Sequence, residues 1–564
     1  MRVAFALVVF AAAAFMLYGW GWAARRVLRA RETNWPATAA CGMAALVFLG
    51  GVLNLARLAN AWALLSLASA GIIFAVCRFR KPEISALVRF LIPGAVLIFT
   101  VATQVPPRAY NFHDDFQKYF AHPVRMLETG TVYGSPLNDI GLDTLGGQAF
   151  LDGFSVAFLP IPYINGVGAA LALFLCMMLA SQFKSVFTST LAALSVFVIN
   201  PQYVNISALY TGSFLMMGAI LEESPAITGL LYAGLVALKS SFVLFVAVHV
   251  VATRRMKAGV FAVLFVAPWI LLHAPHYVQF LHASPAIADH GVRPVESFNI
   301  FSTEPLDYGS TPLAYTLLMI AVALCGVLRN KMDAIAMSCF AMPVAYLIMV
   351  YVSGPRNAGY AQAIRYFAPF AIAIAPIAFG SAEQLKSRWI LLAIAAVPLI
   401  AFLPSLRQRM EQAVHSGSVL AFSWLAPDPE YIGYSRQVLY GDMRGRVEAA
   451  QAKVPQGDAA AVWINAPFYL DYARNRVADV EPGAGLIAPW SKIPDDARYF
   501  IFEYGGYATV DEADYVEAMA EGPDFIRRVS GARLDMTRRM KGMMQGSEKL
   551  YDDGSIAVFT SEHK

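Results

Sequence analysis

Long apolar segments separated by short basic runs constrain this chain more than any other feature. Val3 to Ala24 is apolar and is followed by Arg25, Arg26, Arg29 and Arg31. Ala37 to Ala56 and Ala61 to Cys77 come next, joined by a tight connection. Arg78, Arg80, Lys81 and Arg89 then precede a fourth segment, Phe90 to Val105. A membrane-crossing helix needs about 20 apolar residues, fewer where it is short and buried among others. Of the 564 residues, 58% are hydrophobic and only 15% charged, against about a quarter charged in a soluble protein. Most of the chain is therefore expected in lipid. The net charge of +4, spread over short runs, argues for topology rather than nucleic-acid binding. The cysteines, Cys41, Cys77, Cys176, Cys325 and Cys339, form no CxxC pair, so neither a disulfide framework nor a cysteine-based zinc site is expected.

Basic loops resist translocation. Both early runs are thus expected in the cytoplasm, with the amino terminus and the loop 106–151 outside. The first segment reads as a retained helix rather than a signal peptide, because cleavage would leave its arginines at the head of the chain on the wrong side. Asp152 to Ala180 re-enters and Lys184 marks the inner side. Four short crossings are expected before Arg254-Arg255-Lys257: Val186–Asn200, Ile206–Leu221, Ala226–Leu238 and Ser240–Val251. Two crossings and an interfacial helix are the alternative. Ala258–Leu272 leads to a second outer loop, His273–Ser310, rich in histidine. Thr311–Leu328, Asp333–Val352, Arg365–Gly380 and Trp389–Pro404 complete about fourteen spans within 1–404, with both termini outside. Residues 405–564 have no stretch that could span. Short β-type runs at Ala459–Asn465, Arg498–Tyr504 and Ser555–Thr560, with helices at Gly441–Ala452 and Glu512–Glu521, predict a soluble α/β domain on the outer face.

The chemistry concentrates in the first outer loop, at His113-Asp114-Asp115. Adjacent carboxylates beside a membrane are expensive unless solvated or paired. One can act as general base toward an acceptor hydroxyl; the other can orient it or help hold a divalent cation. His113 can bind phosphate or tune the carboxylates. The plain alternative is a helix cap, an Asp before a helix starting at Phe116. Arg356 and Arg365 in or beside the third outer loop, and Lys239 at a break on the outer side, are candidates for a lipid-linked phosphate; snorkelling or a helix-terminus charge is the alternative for each. Glu222-Glu223 reads as a solvated turn before Pro225. The histidines of the second outer loop lack metal-site spacing.

These features resemble the GT-C superfamily of polytopic membrane glycosyltransferases. Asp114-Asp115 occupies an outer loop after an apolar span. Asn200-Pro201 through Ser240 is similar to that superfamily's run of short spans, with Gly229-Leu230-Leu231-Tyr232-Ala233-Gly234-Leu235 leading to Lys239. A soluble α/β domain follows the last span. The resemblance implies an inverting transfer of a sugar from a polyprenyl-phosphate or pyrophosphate carrier to a glycan, lipid or protein acceptor in a bacterial-type inner membrane. Asp114 or Asp115 would be the base, and Lys239, Arg356 or Arg365 would contact the phosphate. A transporter or flippase of lipid-linked saccharides, or a polymerase or ligase of surface glycans, are the rival readings.

Overall fold

Two asparagines start the N-terminal bundle. The side chain of Asn34 accepts from the Ala37 N–H at 3.0 Å and opens α2, Trp35–Leu55, with Pro36 in its first turn. Asn60 does the same for Ala63 at 3.0 Å and opens α3, Ala61–Val76. Each satisfies a helix N–H that has no partner within the helix. Both pack against α1, Arg2–Val27. The computed structural model describes residues 2–78, 112–134, 144–164, 208–282, 429–479, 496–504, 512–521 and 544–561, with scattered positions elsewhere.

The bundle continues with a π-helix, Phe112–Tyr119, then α4, Ala121–Thr129, and α5, Gly147–Phe158. Next come α6, Leu209–Leu221, α7, Pro225–Leu238, α8, Phe242–Ala252, and α9, Met256–His282. Among the described residues three helices are long and apolar enough to cross a membrane: Val8–Val27, Trp35–Leu55 and Met256–Pro275. Four apolar helices are shorter: α3, most of α6, α7 and α8. The 14-residue α7 rises only about 21 Å at 1.5 Å per residue, less than the hydrocarbon thickness. The chain is thus mostly helical, with a small sheet at its C-terminal end. The expected spans at 90–105, 186–200, 311–328, 365–380 and 389–404 lie outside the described residues, as does nearly all of 333–352.

Helix α2 is the central post. Ala39, Ala40, Cys41, Met43, Ala44 and Leu46 are fully enclosed. A side chain at Gly21 would overlap the Thr38 carbonyl oxygen, so α1 and α2 meet backbone to backbone, as small residues allow in apolar bundles. On the perimeter, α9 exposes Val260, Val263, Leu264 and Leu271. This stripe is what a lipid-facing helix presents.

Two clusters mark the bundle's ends. At one, Arg25 pairs with Glu222, and Arg255 donates to the Ala219 carbonyl at 2.7 Å. Glu222 also accepts from the N–H groups of Glu223 and Ser224 at 3.1 and 2.9 Å, opening α7. The expected solvated turn is corrected in part: Glu223 is exposed, but Glu222 is buried because Arg25 supplies a counter-charge. At the other end, the α2–α3 turn meets α4: the Ala59 N–H donates to the Gly130 carbonyl at 2.9 Å, and Asn54 accepts from Val132 at 2.8 Å. Gly130 has φ +78°, and a side chain there would run into the Arg57 carbonyl. Only glycine fits.

Two further expectations change. The segment from Asp152 is no single helix to Ala180: α5 ends at Phe158, and Leu159-Pro160 leads into a 3-10 turn at Ile161–Ile164. Pro160 and Pro162 lack the N–H a helix would need. The loop expected from His273 is helical in its first residues, since α9 runs to His282 through Pro268 and Pro275. His273 is buried, its Nε2 2.9 Å from the Leu145 carbonyl oxygen.

The C-terminal region holds α10, Pro429–Tyr440, α11, Met443–Gln451, β1, Ala459–Trp463, β2, Arg476–Asp479, β3, Tyr499–Glu503, α12, Glu512–Glu521, β4, Glu548–Asp552, and β5, Ile556–Thr560. The sheet order is β2-β1-β3-β5-β4, with β1 parallel to β2 and β3, and β5 antiparallel to β3 and β4. Alternation along β1 sends Ala460 and Val462 to one face and Ala459, Ala461 and Trp463 to the other. The first face packs on α11 through Val447 and Ala450, and also on Phe116 of the π-helix and Phe120 just after it.

Candidate functional site

Strand β1 is flanked by β2 and β3, both parallel to it, so the chain leaves β1's carboxyl end in one direction and later returns on the other side. Open α/β sheets bind ligands at such a switch point. Here the π-helix occupies it. Gln117 Nε2 donates to the Ile464 carbonyl at 3.3 Å, just past the end of β1. Phe116 and Phe120 lie 5.5 and 5.2 Å from the Phe468 ring. Beside them the Asn465 N–H donates to Glu503 Oε2 at 2.7 Å; burial pushes the Glu503 carboxyl up, and the hydrogen bonds from Asn465 and Tyr434 pull against it. The C-terminal domain thus grips the segment that carries Asp114 and Asp115.

That segment is helical from Phe112, and the Phe120 N–H reaches back five residues to the Asp115 carbonyl at 2.9 Å. Asp114 and Asp115 lie inside these turns, so the helix-cap reading, which needed a start at Phe116, is corrected. The π-helical geometry is rare and is found frequently at functional sites. Asp115 is half-buried. The side chains of His113 and Asp114 lie outside the described residues, as do Arg356 and Arg365 entirely.

Lys239 is described, and it joins the loop. It sits in extended conformation at the break between α7 and α8 and is 6% exposed. It lines a pocket together with Lys118, Tyr119 and His122 on one side and Gln148 and Asp152 on the other. Gln148 Nε2 donates to Asp152 Oδ1 at 2.9 Å, and Thr211 donates to Gln148 Oε1 at 2.9 Å. The second carboxyl oxygen, Asp152 Oδ2, has no hydrogen-bond partner among the described residues although the residue is 1% exposed. The pocket holds about 20 Å³, room for a single water.

His122 and Gln148 were not singled out by the sequence, and Lys118, in the stretch that holds Asp114-Asp115, and Asp152, at the head of an expected span, were given no role there. A signal existed: each pair, Lys118 with His122 and Gln148 with Asp152, is spaced i, i+4, which puts two polar groups on one face of a short apolar segment. Among the described residues no group of three or more His, Cys, Asp or Glu side chains could hold a metal ion. The chain matches no protein-family model and no curated protein.

A second, larger cavity of about 520 Å³ adjoins the first. Val124 and Glu128 of α4, Val156 of α5 and the Leu159–Ile161 turn form one wall; α11 and the Phe468–Asp471 turn form the other. Glu128 Oε2 accepts from the Tyr472 N–H at 2.7 Å. Its side chain reaches solvent through the groove, yet the protein around it favours the neutral acid and pushes the carboxyl up to about 7. Arg125, held over the Tyr472 ring at 5.6 Å, is lowered by its own burial.

Proposed function

We propose that this chain is an inverting membrane glycosyltransferase of the GT-C type that takes a sugar from a polyprenyl-phosphate-type carrier. One observation carries the reading: Lys239 shares a buried pocket with Lys118 and His122, which lie three and seven residues after Asp115. Charge develops on the leaving phosphate in such a transfer, and fixed cations at that position are the largest expected catalytic term. The aspartate pair supplies the base toward the acceptor hydroxyl. A volume of about 20 Å³ admits water but no phosphate, so on this reading donor binding widens the pocket. The fold is completed by about fourteen spans, with the pocket, the C-terminal domain and both termini on the outer face of a bacterial-type inner membrane. Support for that topology comes from Arg25 and Arg255, basic runs expected inside, which meet the same α6–α7 turn at the bundle end opposite Lys239.

The test is the affinity of the full chain, in nanodiscs, for a synthetic polyprenyl phosphate. Lys239→Ala is expected to weaken it at least about tenfold, the loss of one charge-assisted contact. Unchanged affinity overturns the assignment. Asp114→Asn with Asp115→Asn is expected to leave carrier binding intact and abolish transfer.

A further inference from the structure

We infer that the 520 Å³ groove between the C-terminal domain and helices α4 and α5 binds an uncharged saccharide, the acceptor of the reaction. The inference rests on the transferase reading above for the word acceptor, and on the groove itself for the ligand class.

Size comes first. A volume of about 520 Å³ lies within the range of small-molecule sites, about 300–1,000 Å³. Charge comes second. Arg444, Arg474, Glu448 and Asp471 lie on the C-terminal wall and Glu128 on the other, which leaves at most one net negative charge. Such a lining is neither a polyanion nor a polycation site. Third is the division of the walls. One is largely aliphatic, from Val124, Val156 and Leu159 to Ile161, with Glu128 among them; the other sets Tyr469 beside paired charged groups. A sugar has the same division, with C–H faces for apolar or aromatic surface and hydroxyl rims that pair with carboxylates and guanidinium groups. A peptide read by strand addition would need a strand edge, and among the described residues no strand residue lines this cavity.

Polar groups remain available to a ligand here. Gln451 is fully used: it donates to the Asp471 carbonyl and accepts from the Asp471 N–H, both at 2.8 Å. Arg444 and Glu448 instead bond to each other at 2.8 Å as an exposed pair on α11. Such a pair adds little to stability, and its atoms can turn to hydroxyl groups.

Continuity with the Lys239 pocket places the ligand. Asp152 lines that pocket and Val156, one turn on, lines the groove; residues four apart share a helix face about 6 Å apart. A sugar chain in the groove therefore ends about one helical turn of α5 from the pocket where the donor phosphate is proposed to sit.

The experiment is a microarray of neutral oligosaccharides probed with the detergent-solubilised full chain. Binding of a defined subset is expected. The double variant Arg444→Gln, Glu448→Gln should weaken it about tenfold, and Val156→Trp, which fills the groove without changing charge, should abolish it. Binding to acidic glycans alone, to no glycan, or equally by both variants overturns the inference. Lys239→Ala separates the two readings. If it keeps glycan binding and loses polyprenyl phosphate, both stand. If it keeps both ligands, the groove stands and the donor assignment falls.

Discussion

Gln117 and Ile464 are 347 residues apart, yet the Gln117 amide donates to the Ile464 carbonyl at 3.3 Å in a buried contact. Through it the π-helix Phe112–Tyr119 plugs the carboxyl end of β1, where an open α/β domain otherwise keeps its ligand crevice. The C-terminal domain is thereby a clamp on the loop. Phe468, 2% exposed between Phe116 and Phe120, is the centre of that clamp. Phe468→Ala should cost about 3–5 kcal/mol, the usual price of emptying an aromatic core site. Gln117→Ala should cost about 1 kcal/mol. Thermal unfolding and protease sensitivity of the detergent-solubilised chain measure both, and a Phe468→Ala chain as stable and protease-resistant as the parent would show that the clamp does not hold.

Arg25 and Glu222, 3% and 7% exposed, form a buried pair that joins α1 to the α6–α7 turn. Removing one partner strands a charge. Arg25→Met is expected to lose about 3–5 kcal/mol. Glu222→Gln keeps an acceptor for the Glu223 and Ser224 N–H groups, but leaves Arg25 unpaired and should also destabilise. Combining the two changes should restore part of the loss, and a double variant no better than the sum of the singles would show that the pair is not coupled.

Much of this was legible in residue order, for reasons that separate by element. The breaks at Pro225 and Lys239 fixed α7 and α8 to within two residues, because proline and a lone lysine punctuate apolar runs. Strands β1, β3 and β5 were legible because they are central and apolar on both faces. Their neighbours β2, Arg476–Asp479, and β4, Glu548–Asp552, were not: these are edge strands whose polar residues extend only because β1 and β5 pair with them. Lys239 was read from its position, while Asp152 was missed because it was counted as the polar rim of a span. Its burial depends on Gln148 and Thr211, and the Thr211 contact is tertiary.

Asp152 gives the next test. Asn at this position keeps an acceptor for Gln148 and the shape of the side chain. Asp152→Asn is therefore expected to fold normally and to bind polyprenyl phosphate as tightly as the parent. Titration calorimetry with the nanodisc-embedded chain measures it; weaker binding would mean that Asp152 contacts the donor directly.

The last prediction concerns pH and the seam between α4 and the C-terminal domain. Glu128 has its carboxyl raised from the ordinary 4.5 to about 7. Folding and docking then favour the protonated acid. The contribution is full below about pH 4.5 and is lost as pH rises through about 7, where the folded state must ionise the group against its surroundings. The Tyr472 N–H, which prefers the carboxylate, works against this loss. Solvent in the groove screens the effect, so a change on the order of 1 kcal/mol is expected between pH 5 and pH 8. Asp471 and Arg125, the neighbouring charges, act in opposite senses. Hydrogen exchange at the Tyr472 amide in the full chain reads the seam directly: protection should fall as pH rises across this window, beyond the intrinsic rate change, and Glu128→Gln should flatten the dependence. A profile identical in that variant would place the titrating group elsewhere.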